Sequence, residues 1–146
     1  MLELQNVQKS FGDAKVLNGI SLTVNDGEIV SILGPSGSGK TTLLNLILGI
    51  TDLTGGKLLY NGKDLSNTPM EQRGFNIVFQ DYALFPNLNA RQNITYGLRN
   101  KPGISTEAEV NDLIALLGLE EQLDKRIDQL SGGQKQRVAL ARTLVM

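Results

Sequence analysis

The spacing of apolar positions changes several times along this chain, and each change predicts an element. Leu2, Leu4 and Val7 alternate weakly over residues 2–8, which predicts an edge strand. Ile20, Leu22 and Val24 alternate cleanly with polar neighbours, as in a strand with one wet face. Asn25-Asp26-Gly27 is a turn, and Glu28 to Leu33 is a short apolar run of the type buried on both faces of a parallel sheet. After a glycine-rich turn, Thr41 to Gly49 is apolar nearly all round, which predicts a buried helix ended by Gly49. Residues 57–60 and 63–65 predict a hairpin around Asn61-Gly62, and Asn76 to Phe79 predicts a second buried strand that ends at Gln80. Pro86 breaks the chain. Residues 89–99 and 106–117 predict helices, the second amphipathic and stopped by Gly118. A short charged stretch, 119–129, leads to a last helix capped by Ser131 and apolar on most sides from Val138 to Met146.

Strands mixed with helices over 146 residues predict one α/β domain. Composition then removes chemistries. There is no Cys, so disulfides, thiolate metal sites and cysteine nucleophiles are excluded. There is no His, the commonest general base and metal ligand. Fourteen basic residues face fifteen acidic ones, so no global basic field points to nucleic acid or an anionic membrane. Anion binding therefore has to be local. The N-terminus has no signal-peptide pattern, and the longest apolar run is far short of a membrane span. The expected location is cytoplasmic, with any membrane contact made through a partner.

One local site is explicit. Gly34, Pro35, Ser36, Gly37, Ser38, Gly39, Lys40 and Thr41 fit G-x-x-x-x-G-K-[ST], with Thr42 next in line. Glycines let the backbone curl so that successive N–H groups meet an anion, and the helix start adds its positive end. Lys40 brings a mobile charge to the β- and γ-phosphates, and Thr41 offers a hydroxyl to Mg²⁺. The fixed positions match by accident in about 1 sequence in 100 of this composition. The placement between an apolar strand and an apolar helix lowers those odds further. ATP and Mg²⁺ are the expected ligands.

Ser131, Gly132, Gly133 and Gln134, after Leu130, open the last helix. Two glycines in a first turn are unfavourable for the helix itself, and they make sense where something approaches that backbone closely. An N-cap, bare amides and a helix dipole form a second phosphate-sized site. An ordinary capped helix is the competing reading by residue type, but the five-residue string arises by chance in about 1 sequence in 1000. Other residues say little by themselves. Phe11 reads as packing, Gln80 as a polar strand end, and Tyr82, Leu84 and Phe85 as core or a small apolar patch.

Leu130 to Gln134 followed by Lys135-Gln136-Arg137 resembles the signature motif of ABC-transporter ATPase subunits, with the phosphate loop about ninety residues earlier. The likeness covers essentially the whole chain. It implies an RecA-like P-loop NTPase core with an antiparallel β-subdomain and a helical subdomain. The implied divisions are 1–83 (β-subdomain and P-loop core), 84–128 (helical subdomain) and 129–146 (signature helix). Phe11-Gly12 is similar to the family's adenine-stacking aromatic, and Gln80 to the Q-loop glutamine that positions water and Mg²⁺. Residues 81–88 and 93–98 resemble the importer branch serving sugars, iron, polyamines, sulfate or thiamine. The resemblance implies ATP sandwiched in a head-to-tail homodimer, between one P-loop and the partner's signature helix. It also implies permease subunits docking near Gln80, Tyr82, Leu84 and Phe85 on the inner face of the cell membrane.

The family's hydrolytic Asp and Glu end an apolar strand after the signature helix, with a His further on. Neither Asp81 nor Glu120-Glu121 is a convincing substitute. The 146 residues are therefore expected to bind ATP without useful turnover, and the strands at 28–33 and 76–79 are expected to lack their usual neighbours. A non-hydrolysing regulatory or vestigial protein, and a soluble ABC ATPase acting on ribosomes or DNA, are the alternatives.

Overall fold

In the computed structural model, which describes residues 1–79 and 81–146, the chain opens with two long antiparallel strands, β1 (Leu2–Phe11) and β2 (Ala14–Val24). Helix α1 (Lys40–Leu48) follows, then β3 (Gly55–Tyr60) and β4 (Lys63–Asp64), then a single turn of helix, α2 (Met70–Arg73). The sheet order is β2-β1-β3-β4, so β1 is internal and not the expected edge strand. Its weak alternation has a local cause. Leu4 and Val7 are both buried although they stand three positions apart and would face opposite sides of a regular strand, because a bulge at Asn6 (φ 49°) resets the pleat. The bulge dictates its neighbours: a Cβ on Gly56 would collide with the Asn6 carbonyl, and one on Gly19 would lie 2.7 Å from Asn6 Oδ1. The Asn61-Gly62 hairpin forms as expected, with φ 50° and 80°.

The chain divides into two compact units, Met1–Phe75 and Asn76–Met146. In the first, Leu4, Val7, Leu17 and Leu58 from the sheet pack with Leu43 and Leu46 of α1. Helix α1 buries one side only, and Leu44 is half exposed, because the sheet is the one layer covering it within the unit.

Two expectations are corrected. Residues 28–33 form no strand, and Ile29 and Leu33 are 96% and 90% exposed. Residues 76–79 form no strand either, and Val78 and Phe79 are largely exposed. A strand buried on both faces needs a hydrogen-bonded neighbour at each edge, and among the described residues neither segment has one.

The second unit is helical. It contains α3 (Ala90–Thr95), which runs into a 3₁₀ turn at Tyr96–Arg99, then α4 (Glu107–Leu116), a 3₁₀ turn at Ile127–Gln129, and α5 (Gly132–Leu144). Helices α3, α4 and α5 begin with reciprocal capping boxes, Asn89/Gln92, Thr106/Glu109 and Ser131/Gln134, which satisfy first-turn amides. Ile94, Ile114, Leu119 and Val138 form the centre of its core. Among the described residues, no helix is long and apolar enough to cross a membrane.

Candidate functional site

The loop ahead of α1 curls back on itself. Gly37 and Gly39 have φ of 82° and 94°, a region that side chains with a Cβ resist, and the Ser38 amide donates to the Pro35 carbonyl at 3.2 Å. Lys40 Nζ donates to the Gly34 carbonyl, so its side chain spans the loop from end to start. A Cβ on Gly34 would sit 2.7 Å from Ser38 Oγ, and one on Gly39 would press on Leu17 Cδ2 at 3.0 Å and the Val16 carbonyl at 3.3 Å. Gly39 is thus favoured by conformation and by space, whereas at Gly34 the φ is ordinary and the near contact is with the Ser38 side chain.

Among the described residues, the amides of Gly37, Gly39, Lys40, Thr41 and Thr42 have no backbone acceptor. The first turn of α1 has no side-chain cap and no acidic residue to offset its positive end. Pro35, Ser36, Gly37, Ser38 and Thr41 are all exposed, so these donors are open to a ligand. This donor set, five amides with one ammonium and one hydroxyl, suits an anion with several acceptor oxygens. For a divalent cation the loop offers hydroxyls, Thr41 among them, and no carboxylate. Among the described residues, no group of three or more His, Cys, Asp or Glu could hold a metal ion, so its other oxygens would come from phosphate and water.

Phe11 ends β1 and is 53% exposed. It pairs with Ala14, two residues from the Val16 that abuts Gly39. That interval is about 7 Å along β2, so the ring and the glycine loop share one end of the sheet.

In the second unit, the start of α5 is closed by its own side chains. Gln134 N donates to Ser131 Oγ at 3.2 Å, and Ser131 N donates to Gln134 Oε1 at 2.8 Å. Gly132 and Gly133 are different: neither has a left-handed φ, and a Cβ on either would meet nothing within 4 Å. Among the described residues nothing therefore requires glycine there, although glycine weakens a helix by about 0.5–1 kcal/mol relative to Ala. Both are exposed.

Gln80 lies outside the described residues. The segment just after it is held in an unusual shape, with Tyr82 and Ala83 at φ of 67° and 46°. Arg142 of α5 grips both: Nη1 donates to the Ala83 carbonyl at 2.8 Å and Nη2 to the Tyr82 carbonyl at 2.9 Å. Its guanidinium also stands 5.8 Å from the Phe85 ring, which stacks on Tyr96 at 4.5 Å. Burial draws the Arg142 guanidinium below its ordinary range. Asn93, fully buried, accepts from Phe85 N at 2.8 Å and donates to the carbonyls of Phe85, Leu88 and Asn89. Tyr82 and Leu84 are partly covered and Phe85 is exposed. Arg142 and Asn93 carried no sequence signal, because their partners are irregular backbone that no periodicity marks.

Comparison with known proteins agrees with this geometry. The family described as "ABC transporter" matches residues 17–146. The spermidine/putrescine import ATP-binding protein PotA of Spiroplasma citri is 51% identical over 99% of this chain and 42% of its own length. The Fe(3+) ions import ATP-binding protein FbpC of Photobacterium profundum is 45% identical over 98% of this chain and 41% of its own. The chain thus spans about two-fifths of the length of these curated relatives. Among solved structures, the ABC transporter cassette MJ0796 is 34% identical with a TM-score of 0.79, covering 99% of this chain and 69% of that one. It has been solved as a dimer, and as a dimer in a post-hydrolysis state bound to ADP and Pi. With the family matched over most of its length, and with a cassette of the same fold at one-third identity, this chain belongs to the ABC transporter family.

Proposed function

We propose that this chain binds ATP at Gly34–Thr42 and serves as nucleotide-binding part of an ABC importer's energy-coupling subunit. One observation carries the reading: a curled loop with five amides lacking backbone acceptors, spanned by the Lys40 ammonium, at the uncapped start of α1. Lys40 neutralises phosphate charge, the loop amides orient the phosphate oxygens, and Thr41 with Gln80 holds Mg²⁺. Bound there, Mg²⁺ would offset the charge of the phosphates. Gln80 also orients water, and Phe11 gives the base a face to stack on.

The exposed glycines at 132 and 133 support a second element of the reading. A backbone kept bare with no internal reason suits close approach by a ligand carried on another molecule. Ser131, Gly132, Gly133 and Gln134 therefore face the ATP held by a second copy in a head-to-tail pair, a two-fold arrangement in which both sites are alike. The dimeric cassette MJ0796 is the precedent for pairing. Tyr82, Leu84 and Phe85 meet a permease subunit, which places the assembly on the inner face of the membrane. On this reading the functional division is 1–83, 84–128 and 129–146. The named relatives take different cargo at 51% and 45% identity, so ATP handling is the shared part and cargo choice lies with other subunits.

Calorimetric titration of the full chain with Mg-ATP tests the proposal. Wild type is expected to bind, and Lys40→Ala to lose at least about tenfold in affinity, the scale of one charge-assisted contact. Equal affinity for both forms would reject the assignment of the loop.

A further inference from the structure

Lys9 stands against the Phe11 ring, its Nζ 4.9 Å from the ring centroid. The same ammonium donates to the Asp52 carbonyl at 2.7 Å. A surface lysine ordinarily samples many rotamers, but this one is fixed between a backbone oxygen and an aromatic face. Phe11 is 53% exposed, so the cation backs the ring and leaves area free for a second stacking partner. A cation on one face draws π density toward itself. The opposite face becomes less negative and stacks better on an electron-rich purine.

Position supports the same reading. Phe11 pairs with Ala14, and Val16 abuts Gly39 of the glycine loop, so ring and loop lie at one end of the sheet, with Ala14 and Val16 about 7 Å apart along β2. We infer that Lys9 is a positioning residue for the nucleotide base, fixing and polarising the Phe11 ring as its stacking platform. This rests on the reading of Phe11 given above, and it assigns Lys9 to the base, not to the phosphates.

The test separates base from phosphate. The full chain and its variants Lys9→Met, Lys9→Arg and Phe11→Ala are titrated calorimetrically with Mg-ATP and with inorganic tripolyphosphate in the presence of Mg²⁺. Lys9→Met is expected to weaken ATP by about 2- to 5-fold, the scale of one exposed cation–π contact, and to leave tripolyphosphate unchanged. Lys9→Arg, which keeps the cation, is expected to bind both like wild type, and it carries the test if Lys9→Met unfolds. An equal loss for both ligands would make Lys9 a general electrostatic contributor and overturn the inference. Unchanged or tighter ATP binding in Lys9→Met would also overturn it. The outcomes remain distinct from failure of the platform itself. If Phe11→Ala binds ATP as wild type does, Phe11 is no platform. If Phe11→Ala weakens ATP while Lys9→Met does not, only the role of Lys9 fails.

Discussion

Arg73 ties the far end of α1 to the chain that follows the hairpin. It is only 7% exposed, and its Nε donates to the Thr68 carbonyl at 2.7 Å. Nη1 donates to the carbonyls of Leu46 and Ile47 at 2.9 and 3.2 Å in the last turn of α1, where Leu46 also accepts from the Gly49 amide. A cation there also suits the negative end of the helix. Burial lowers the guanidinium from its ordinary value and nearby Asp52 opposes the shift, yet an arginine stays charged throughout the neutral range. The residue fixes one end of the helix whose other end carries the glycine loop. Arg73→Ala removes the side-chain donor to the Thr68 and Ile47 carbonyls and is expected to lower stability by about 1–3 kcal/mol in urea unfolding of the full chain, with Arg73→Lys intermediate. No change on Arg73→Ala would mean that water replaces the guanidinium without loss. Local pattern carries no signal for this role, since a lone arginine in a polar stretch reaches carbonyls 26 and 27 residues away. Ser131 and Gln134 were easier to read, because an N-cap acts on its own next turn.

Helix α5 does more than present its glycine start. Through Arg142 it sets the backbone of Tyr82 and Ala83, both in left-handed conformation, a state that costs a residue with a Cβ about 1 kcal/mol or more. The signature helix and the segment proposed to meet the permease therefore form one mechanical piece within the second unit. A double-mutant cycle reads this tie. Ala83→Gly relieves the strain and is expected to stabilise wild type by up to about 1 kcal/mol. In an Arg142→Ala background the segment is free to leave the left-handed region, and the same change is expected to bring no gain. Additive effects would contradict the tie. Regular elements were largely legible: α1 with its Gly49 end, the Asn61-Gly62 hairpin, and the helices begun by Thr106 and Ser131 all follow local rules. The runs at 28–33 and 76–79 were not, since an apolar run states what could be buried but not whether a neighbouring strand is there to bury it.

Taken together, the two units divide the work. The first holds the glycine loop, Phe11 and Lys9 on one sheet end, and the second holds the bare helix start and the strained turn. The glycine loop is legible in the sequence because consecutive residues build it, and Phe11 is legible only through the family resemblance. Lys9 is not, because its place against the ring appears only once β1 pairs with β2 and the chain returns at Asp52. Ligand binding at the glycine loop is the property on which the proposed function depends. Backbone amide chemical shifts of the full chain, followed during titration with Mg-ATP, test that property atom by atom. The amides of Gly37, Gly39, Lys40, Thr41 and Thr42 are expected to move together and to saturate, and in Lys40→Ala to need at least about tenfold more ATP to do so. Saturating ATP that leaves these five resonances in place, whatever moves elsewhere, would contradict a triphosphate site in this loop.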